Sequence, residues 1–346
     1  MSSDFEAALR RYDYALPPHL IAAAPAHPRD SAKLVILERA TGNVTWTTFH
    51  DVGKFLPPHS LLVLNETKVI PARLTLTRST GGTVSILRLK LERGLLHALS
   101  PKKLTTGEKL KIGSKDMFIV DGRTQDYWML RPLFPAHGMD ALFQKHGTMP
   151  IPPYIKKTPL TESALRREYQ TVFAKKNGSI AAPTASLHFT QRLLNDLEKS
   201  GIEIARVTLH VHLGTFAALR EEQWKSHKLH PEEYHIGVAA MQQIANAKRD
   251  GRPVIAVGTT VARTLESAAD SHGKIVHPDG TTQLFIREDS HFRVTDGLIT
   301  NFHVPQSSLL MLVSAFAGRE RVMDVYREAI ERKLRFFSFG DAMLIL

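Results

Sequence analysis

The sequence predicts an α/β protein: a mostly parallel sheet flanked by helices, with a small antiparallel β-barrel domain inserted into it. Three observations lead there. From about residue 152 onward, short apolar runs alternate with amphipathic stretches, the pattern of strands and helices in βα units. Between residues 70 and 151 this gives way to closely spaced alternating runs punctuated by glycine, the texture of a small all-β barrel. The segment Met149-Pro150-Ile151-Pro152-Pro153 marks the return. Residues 1–69 and 152–346 are therefore assigned to a discontinuous α/β domain, and 70–151 to the barrel insert. At 346 residues the chain is long enough to form two cores.

Taken in order, Lys33–Leu37 and Leu61–Asn65 read as buried strands, separated by the turn Thr41-Gly42-Asn43 and by Pro57-Pro58. Within the insert, strands are expected at 83–91, 95–99, 109–112, 117–120 and 127–131, set off by Gly81-Gly82, Gly107, Gly113 and Asp121-Gly122. Ser179 to Thr190 and Val207 to Phe216 each read as a strand running into a loop of Thr, Ser, Gly and His. Between them lies one amphipathic helix, Phe189 to Ser200, stopped by Gly201. This strand–helix–strand unit would open two polar mouths at one edge of a parallel sheet, where α/β proteins form ligand crevices. The second strand places Val207, Leu209, Val211 and Leu213 on one face and Thr208, His210 and His212 on the other. Further helices are expected at 238–249, 261–269, 307–316 and 319–333, with a strand at 253–257 and a final buried strand from Ala342 to Leu346.

Composition excludes several classes. Cysteine is absent, which removes disulfides, thiolate zinc sites, iron–sulfur clusters and a cysteine nucleophile. No window approaches the roughly 18 apolar residues of a membrane span, and the first residues lack the layout of a secretory signal. A cytoplasmic protein without a membrane partner is expected. The net charge of +11 is unevenly spread. Residues 70–130 hold 11 Lys and Arg against 5 Asp and Glu, and residues 154–178 hold 6 against 2, so these two stretches carry +6 and +4 of the total. Such concentration attracts a polyphosphate, which points to nucleic acid. Lysines 156, 157, 175 and 176 (Lys156, Lys157, Lys175, Lys176) are the candidate contacts.

The chemistry concentrates in a few segments. Val254 to Ala268 reads as a strand, a Gly258-Thr259-Thr260 turn and a helix, whose free first amides and two hydroxyls suit a carboxylate or phosphate. Arg263 and Glu266, three apart on that helix, either pair or face the crevice together. Asn301-Phe302-His303 forms a third polar mouth, and Asp341 stands at the lip of the last strand. Pro28-Arg29-Asp30-Ser31 is a turn signal, and Leu229 to His235 crowds titratable groups ahead of a helix. His210 and His212 have the spacing of a metal pair, but no Asp, Glu or His set completes it, so no metal is expected.

With these residues in view, the chain resembles the S-adenosylmethionine:tRNA ribosyltransferase-isomerase family of bacterial queuosine biosynthesis. The likeness is carried by YDYALPPHLIAAAPAHPRDSAKL, LLVLNETKVIPARL, GTMPIPPYI, YQTVFAKKNGSIAAPTASLHFT, VTLHVHLGTF, AVGTTVARTLESA, DGLITNFHVPQSSLLMLVSAFAG and RFFSFGDAMLIL, in that order along almost the whole chain. The resemblance implies an α/β domain with an inserted barrel, a monomer, and S-adenosylmethionine used as ribosyl donor. It further implies transfer to 7-aminomethyl-7-deazaguanine at the wobble position of tRNA, giving epoxyqueuosine and releasing adenine and methionine.

That chemistry needs a base to take a proton from the ribose methylene beside the sulfonium, a task for a neutral His or a carboxylate. His210 is the first choice and Glu232 the alternative. The remaining catalytic candidates are His188, Arg263 and Glu266. Substrate contacts are expected from Arg29, Asp30, Asn65, Arg73, Thr184, Thr208, Thr259, Thr260, Asn301, His303 and Asp341. The Gly258-Thr259-Thr260 mouth with Arg263 would take the methionine carboxylate or a tRNA phosphate, and His188 with Asn301 would orient or protonate the departing adenine. The chain departs from the family pattern at His212-Leu213, where HVGAGTF is usual, and at Ser85, Ser186 and Phe339, where Glu, Gly and Tyr are usual. Two other readings stand beside this one. A metal-dependent nucleic-acid hydrolase would use the HxH pair, and a non-catalytic tRNA-binding descendant would fit the altered loop.

Overall fold

The computed structural model describes residues 3–211 and 218–346, so His212 and Leu213 lie outside the described residues. The chain divides into two compact units. One comprises the residues up to Lys68 together with Pro152–Thr161 and Gln170–Leu346, and the other comprises Val69–Ile151 together with Glu162–Tyr169.

The first unit is built on a nine-stranded sheet. Numbered along the whole chain, its strands are β1 (Lys33–Leu37), β2 (Val44–Thr48), β3 (Leu61–Asn65), β12 (Glu203–Leu209), β13 (Lys228–His235), β14 (Val254–Val257), β15 (Asp279–Leu284), β16 (Gly297–Asn301) and β17 (Ala342–Ile345). They lie in the order β15-β13-β12-β3-β14-β16-β17-β1-β2. The central block β12, β3, β14 and β16 is parallel throughout, and β17 joins it antiparallel while pairing parallel with β1. The central strands read as unbroken apolar runs because both faces of the sheet are covered. Along β3, Leu61 and Val63 enter one core, while Leu62 and Leu64 enter the other. The first core is filled from α6 (Val238–Arg249), α7 (Thr259–Ala268), α8 (Ser308–Ala317) and α9 (Arg319–Glu331), and the second from α4 (Gln191–Lys199). Two shorter helices, α1 (Ser3–Arg10) and α5 (Glu221–Ser226), complete the unit.

Helix α4 starts where its cap dictates. Thr190 accepts the Leu193 amide at 3.1 Å, so the helix begins at Gln191 and Leu193, Leu194 and Leu197 face the core. Helix α7 begins two residues ahead of the expected Val261, because Gly258 at φ +93° sets the turn.

Two expectations fail. Ser179 to Thr190 does not form a strand of the main sheet. Residues Lys176–Ser179 (β11) pair instead with Thr67–Val69 (β4) as a separate two-stranded sheet, and Thr184–His188 closes into a single 3₁₀ turn. Pro183 lacks the donor a ladder needs; Ile180 gives its amide to the Val211 carbonyl at 2.9 Å, and the Ser179 hydroxyl accepts the Val211 amide at 2.9 Å. Leu229 to His235, expected only to crowd titratable groups ahead of a helix, does precede α6 but is itself part of strand β13, held between β12 and β15. Pro231 falls inside the register shift between Lys228 and Glu232, where a missing ladder donor is tolerated.

The second unit is a closed antiparallel barrel of β5 (Arg73–Arg78), β6 (Thr83–Glu92), β7 (Leu95–Leu99), β8 (Lys109–Ile112), β9 (Lys115–Arg123) and β10 (Trp128–Pro132), ordered β10-β7-β6-β5-β8-β9. Inward residues such as Leu74, Ile86, Leu96, Phe118 and Leu130 alternate with outward polar ones and fill it. Helices α2 (Met139–His146) and α3 (Glu162–Glu168) belong to the same unit. Among the described residues no helix is long and apolar enough to cross a membrane.

Candidate active site

A cleft in the first unit opens where the parallel strands end. Its walls come from Ala182–Ala185, the Gly258-Thr259-Thr260 turn after β14, Thr300 to Val304 at the end of β16, and Tyr154, Val211, Leu309, Phe337 and Ser338. Carboxyl ends of adjacent parallel strands leave room there because the chain must turn away to cross back over the sheet. At the start of α7 the cap is a glycine, so no side chain occupies the first amides. The Thr260 hydroxyl is buried and has no hydrogen-bond partner among the described residues. The carboxylate or phosphate seat expected from the sequence would fall at this turn.

Asn301 forms the opposite wall. Its Nδ2 donates to the carbonyl oxygens of Phe337 at 2.9 Å and Ser338 at 3.4 Å, which fixes which way the amide points. Oδ1 therefore faces His188 Nε2 at 3.0 Å, and that nitrogen carries the proton. The ring of His188 lies 4.9 Å from that of Phe49, and burial pushes its pKa down to about 4. His188 is thus a neutral donor behind the cleft, suited to holding Asn301 rather than to protonating a leaving group. His303 is likewise kept neutral by burial, at about 3, and its Nε2 lies 2.8 Å from the Thr300 hydroxyl. Tyr154 leans on Phe337, with ring centroids 4.8 Å apart, and its hydroxyl is 2.6 Å from that of Ser338.

His210 is not among the described residues lining this cleft, although the next residue, Val211, is. Its Nδ1 meets the fully buried Thr67 hydroxyl at 2.8 Å. The ring fits against the backbone of Gly178, which has φ +147°; a Cβ there would stand 2.8 Å from His210 Cε1. Asn65 secures this corner from below. Its amide mimics a ladder partner, accepting from Leu209 and Thr67 amides at 3.1 Å and donating to the Leu209 carbonyl at 3.0 Å.

Thr184, Thr259, Thr260, Asn301 and His303 therefore line one cleft, with His188 directly behind. Other expected residues lie elsewhere. Glu232 and Arg263 form a buried ion pair with each other, and Arg263 Nε donates to the Leu284 carbonyl at 3.1 Å. Glu266 neither pairs with Arg263 nor faces the cleft; its carboxylate accepts the amides of Arg293, Val294 and Thr295 at 2.7, 3.2 and 2.9 Å. Asp341 accepts the Lys33 and Arg335 amides at 3.0 and 2.8 Å, closing the loop before β17. Asp30 accepts from Thr190 and Arg192, and Arg29 donates to the Gln170 carbonyl at 2.5 Å. Thr208 is buried opposite His235. Arg73 lies on β5, in the second unit. Lys156, Lys157, Lys175 and Lys176 are all exposed on the first unit.

Sequence reasoning passed over Thr67, Tyr154 and Phe337. Tyr154 and Phe337 carry no spacing signal of their own, since what marks them is contact with Ser338 and Asn301 in the fold. Among the described residues no group of three His, Cys, Asp or Glu is arranged to hold a metal.

Fold and cleft together define an α/β protein with a closed antiparallel barrel and a polar cleft at the strand ends. The model of the family described as queuosine biosynthesis protein matches residues 9–345. A protein of Heliobacterium modesticaldum named S-adenosylmethionine:tRNA ribosyltransferase-isomerase is 47% identical over 341 residues, spanning 97% of this chain and 98% of that one. One of the same name from Thermotoga maritima is 44% identical over 338 residues, spanning 97% and 98%. The crystal structure of the S-adenosylmethionine tRNA ribosyltransferase from Thermotoga maritima superposes with a TM-score of 0.55 at 34% identity, covering 97% of this chain and all of that one. The chain belongs to this family of S-adenosylmethionine:tRNA ribosyltransferase-isomerases.

Proposed function

We propose that this protein transfers and isomerises the ribosyl moiety of S-adenosylmethionine onto 7-aminomethyl-7-deazaguanine at the wobble position of tRNA, forming epoxyqueuosine and releasing adenine and methionine. The observation that carries this reading is the strand-end cleft of a chain in this family, with free helix amides and an unpaired hydroxyl on one side and an oriented amide and aromatic rings on the other. Such a cleft fits a donor that is zwitterionic at one end and a flat heterocycle at the other.

The first amides of α7 with the Thr260 hydroxyl are assigned to the methionine carboxylate, which a helix N-terminus favours. Asn301, held by His188, is assigned to the adenine side. The base that takes the methylene proton is assigned to His210. The contact of its Nδ1 with the Thr67 hydroxyl at 2.8 Å holds the imidazole in one orientation, as a general base requires. Loss of that proton leaves a carbanion beside the sulfonium; as it rearranges, the bond from the sugar to adenine breaks, the amine appended to the tRNA base forms the new C–N bond and gives up a proton, and closure of the epoxide by a sugar oxygen breaks the C–S bond and expels methionine. Lys156, Lys157, Lys175 and Lys176 are assigned to tRNA phosphates. The acting form is proposed to be a cytoplasmic monomer with no metal.

The test is incubation with S-adenosylmethionine and tRNA bearing the aminomethyl-deazaguanine. Adenine should appear in step with modified tRNA, and tRNA with unmodified guanine should give none. Modified tRNA binding without adenine release would replace this reading with a non-catalytic one.

A further inference from the structure

Six described non-glycine residues have a left-handed backbone, and five of them turn the chain at or near the surface. The sixth, Phe337 at φ +70°, is 6% exposed and lines the cleft. A bulky residue in that conformation is a true outlier, and it persists only where its surroundings over-determine it. Here they do. The Phe337 amide donates to the Phe302 carbonyl at 3.2 Å, its own carbonyl accepts from Asn301 Nδ2 at 2.9 Å and from the Gly340 amide at 3.0 Å, and Asp341 closes the loop on the Arg335 amide at 2.8 Å. Gly340 lets the loop be this tight, since a Cβ there would stand 2.5 Å from the Arg335 carbonyl oxygen. Ordinary packing of a phenylalanine requires none of this, because a side chain can reach a core from an unstrained backbone.

We propose that the loop 335–341 exists to present the Phe337 ring, flanked by Tyr154, as the face on which the adenine of the ribosyl donor stacks. His188 and Asn301 are positioning residues for that face. The assignment rests on the function proposed above and adds to it the residue that recognises the leaving base. Stacking a purine on an aromatic ring also tolerates the change of charge as the glycosidic bond breaks.

The experiment compares native protein with Phe337→Leu and Phe337→Tyr. Loss of the ring in Phe337→Leu should raise KM for S-adenosylmethionine roughly ten- to a hundredfold, with kcat and the KM for tRNA little changed, the scale of one base–aromatic stack. Phe337→Tyr should return KM close to native. Calorimetric binding of adenosine alone should weaken in parallel in Phe337→Leu. In native protein protonated only on its phenylalanine and tyrosine rings, bound adenosine should cross-relax with them, a readout that needs no variant to fold. Unchanged KM for the donor in folded Phe337→Leu, a rise confined to the tRNA KM, or bound adenosine without cross-relaxation would each overturn the assignment. Adenine release by the native protein with any of these outcomes would leave the overall reaction standing. Absence of both adenosine binding and adenine release would take both down.

Discussion

His188 is buried where it cannot be protonated at neutral pH, and this makes it a pH sensor for the fold. Its pKa drops from 6.5 to about 4 on folding, so the unfolded chain binds the extra proton first. The stability it contributes is complete above pH 6.5, declines as pH falls from there, and is fully lost below about 4. Urea unfolding at pH 8 and pH 5 should show His188 accounting for about 2 kcal/mol of the difference. His188→Gln should remove that share of the pH dependence, and an unchanged slope would mean the ring is not buried neutral. His303 acts with the same sign. At the corner beside β12, the packing of His210 on Gly178 gives a paired prediction. His210→Ala should lower turnover by about 10²-fold or more while tRNA binding persists. Gly178→Ala, whose Cβ would meet the ring at 2.8 Å, should lower turnover in the same direction. Near-normal rates in both would remove His210 from the proton transfer. Residue types at the site were legible in advance, because Thr259, Asn301 and His188 stand at the ends of apolar runs. The identities of their partners were not: nothing in the residues around Glu232 tells that Arg263 will bury itself against it.

At the scale of elements, caps and ladders decide what forms. Helix α4 and its neighbour Asp30 share one hydroxyl: Thr190 accepts the Leu193 amide and donates to the Asp30 carboxylate at 3.0 Å. Thr190→Ala should cost about 1 kcal/mol for the lost cap, with a further loss because Asp30, buried, gives up a donor. Chemical denaturation against Thr190→Ser, which keeps the hydroxyl, measures it; equal stability of the two variants would show that neither bond matters. Helix α6 was readable because its periodicity is strong and local, whereas the strand expected from Val207 begins at Glu203 and ends at Leu209, so that His210 follows the strand rather than standing on its face. Strand β13 was not readable, since Leu229-His230-Pro231-Glu232-Glu233-Tyr234-His235 has a proline and charges that mask its alternation. Its partners β12 and β15 supply the ladder that propensity withholds. The reverse happened at Ser179 to Thr190, where an apolar start suggested a sheet strand but Pro183 prevents a ladder.

For the whole molecule, charge placement and fold class answer different questions. Exposed Lys156, Lys157, Lys175 and Lys176 raise the local field without touching the cleft. Replacing all four by Glu should weaken tRNA binding and flatten the plot of log affinity against log salt by about three units of slope, the amount expected for four lost phosphate contacts. An unaltered slope would place the RNA on another surface. Turnover at saturating tRNA should be nearly unchanged, because none of the four lines the cleft.

By itself the sequence determined the fold class, the buried central strands, the helix α7 turn and the family, because these rest on local periodicity, capping and contiguous motifs. Only the tertiary structure decided that Asn301 leans on His188 and Phe337, that Glu232 and Arg263 satisfy each other, and that Glu266 and Asp341 tie loops. Those outcomes depend on groups far apart in the chain meeting in a low-dielectric interior, where every polar atom must find a partner and the partner is whichever one the fold brings near.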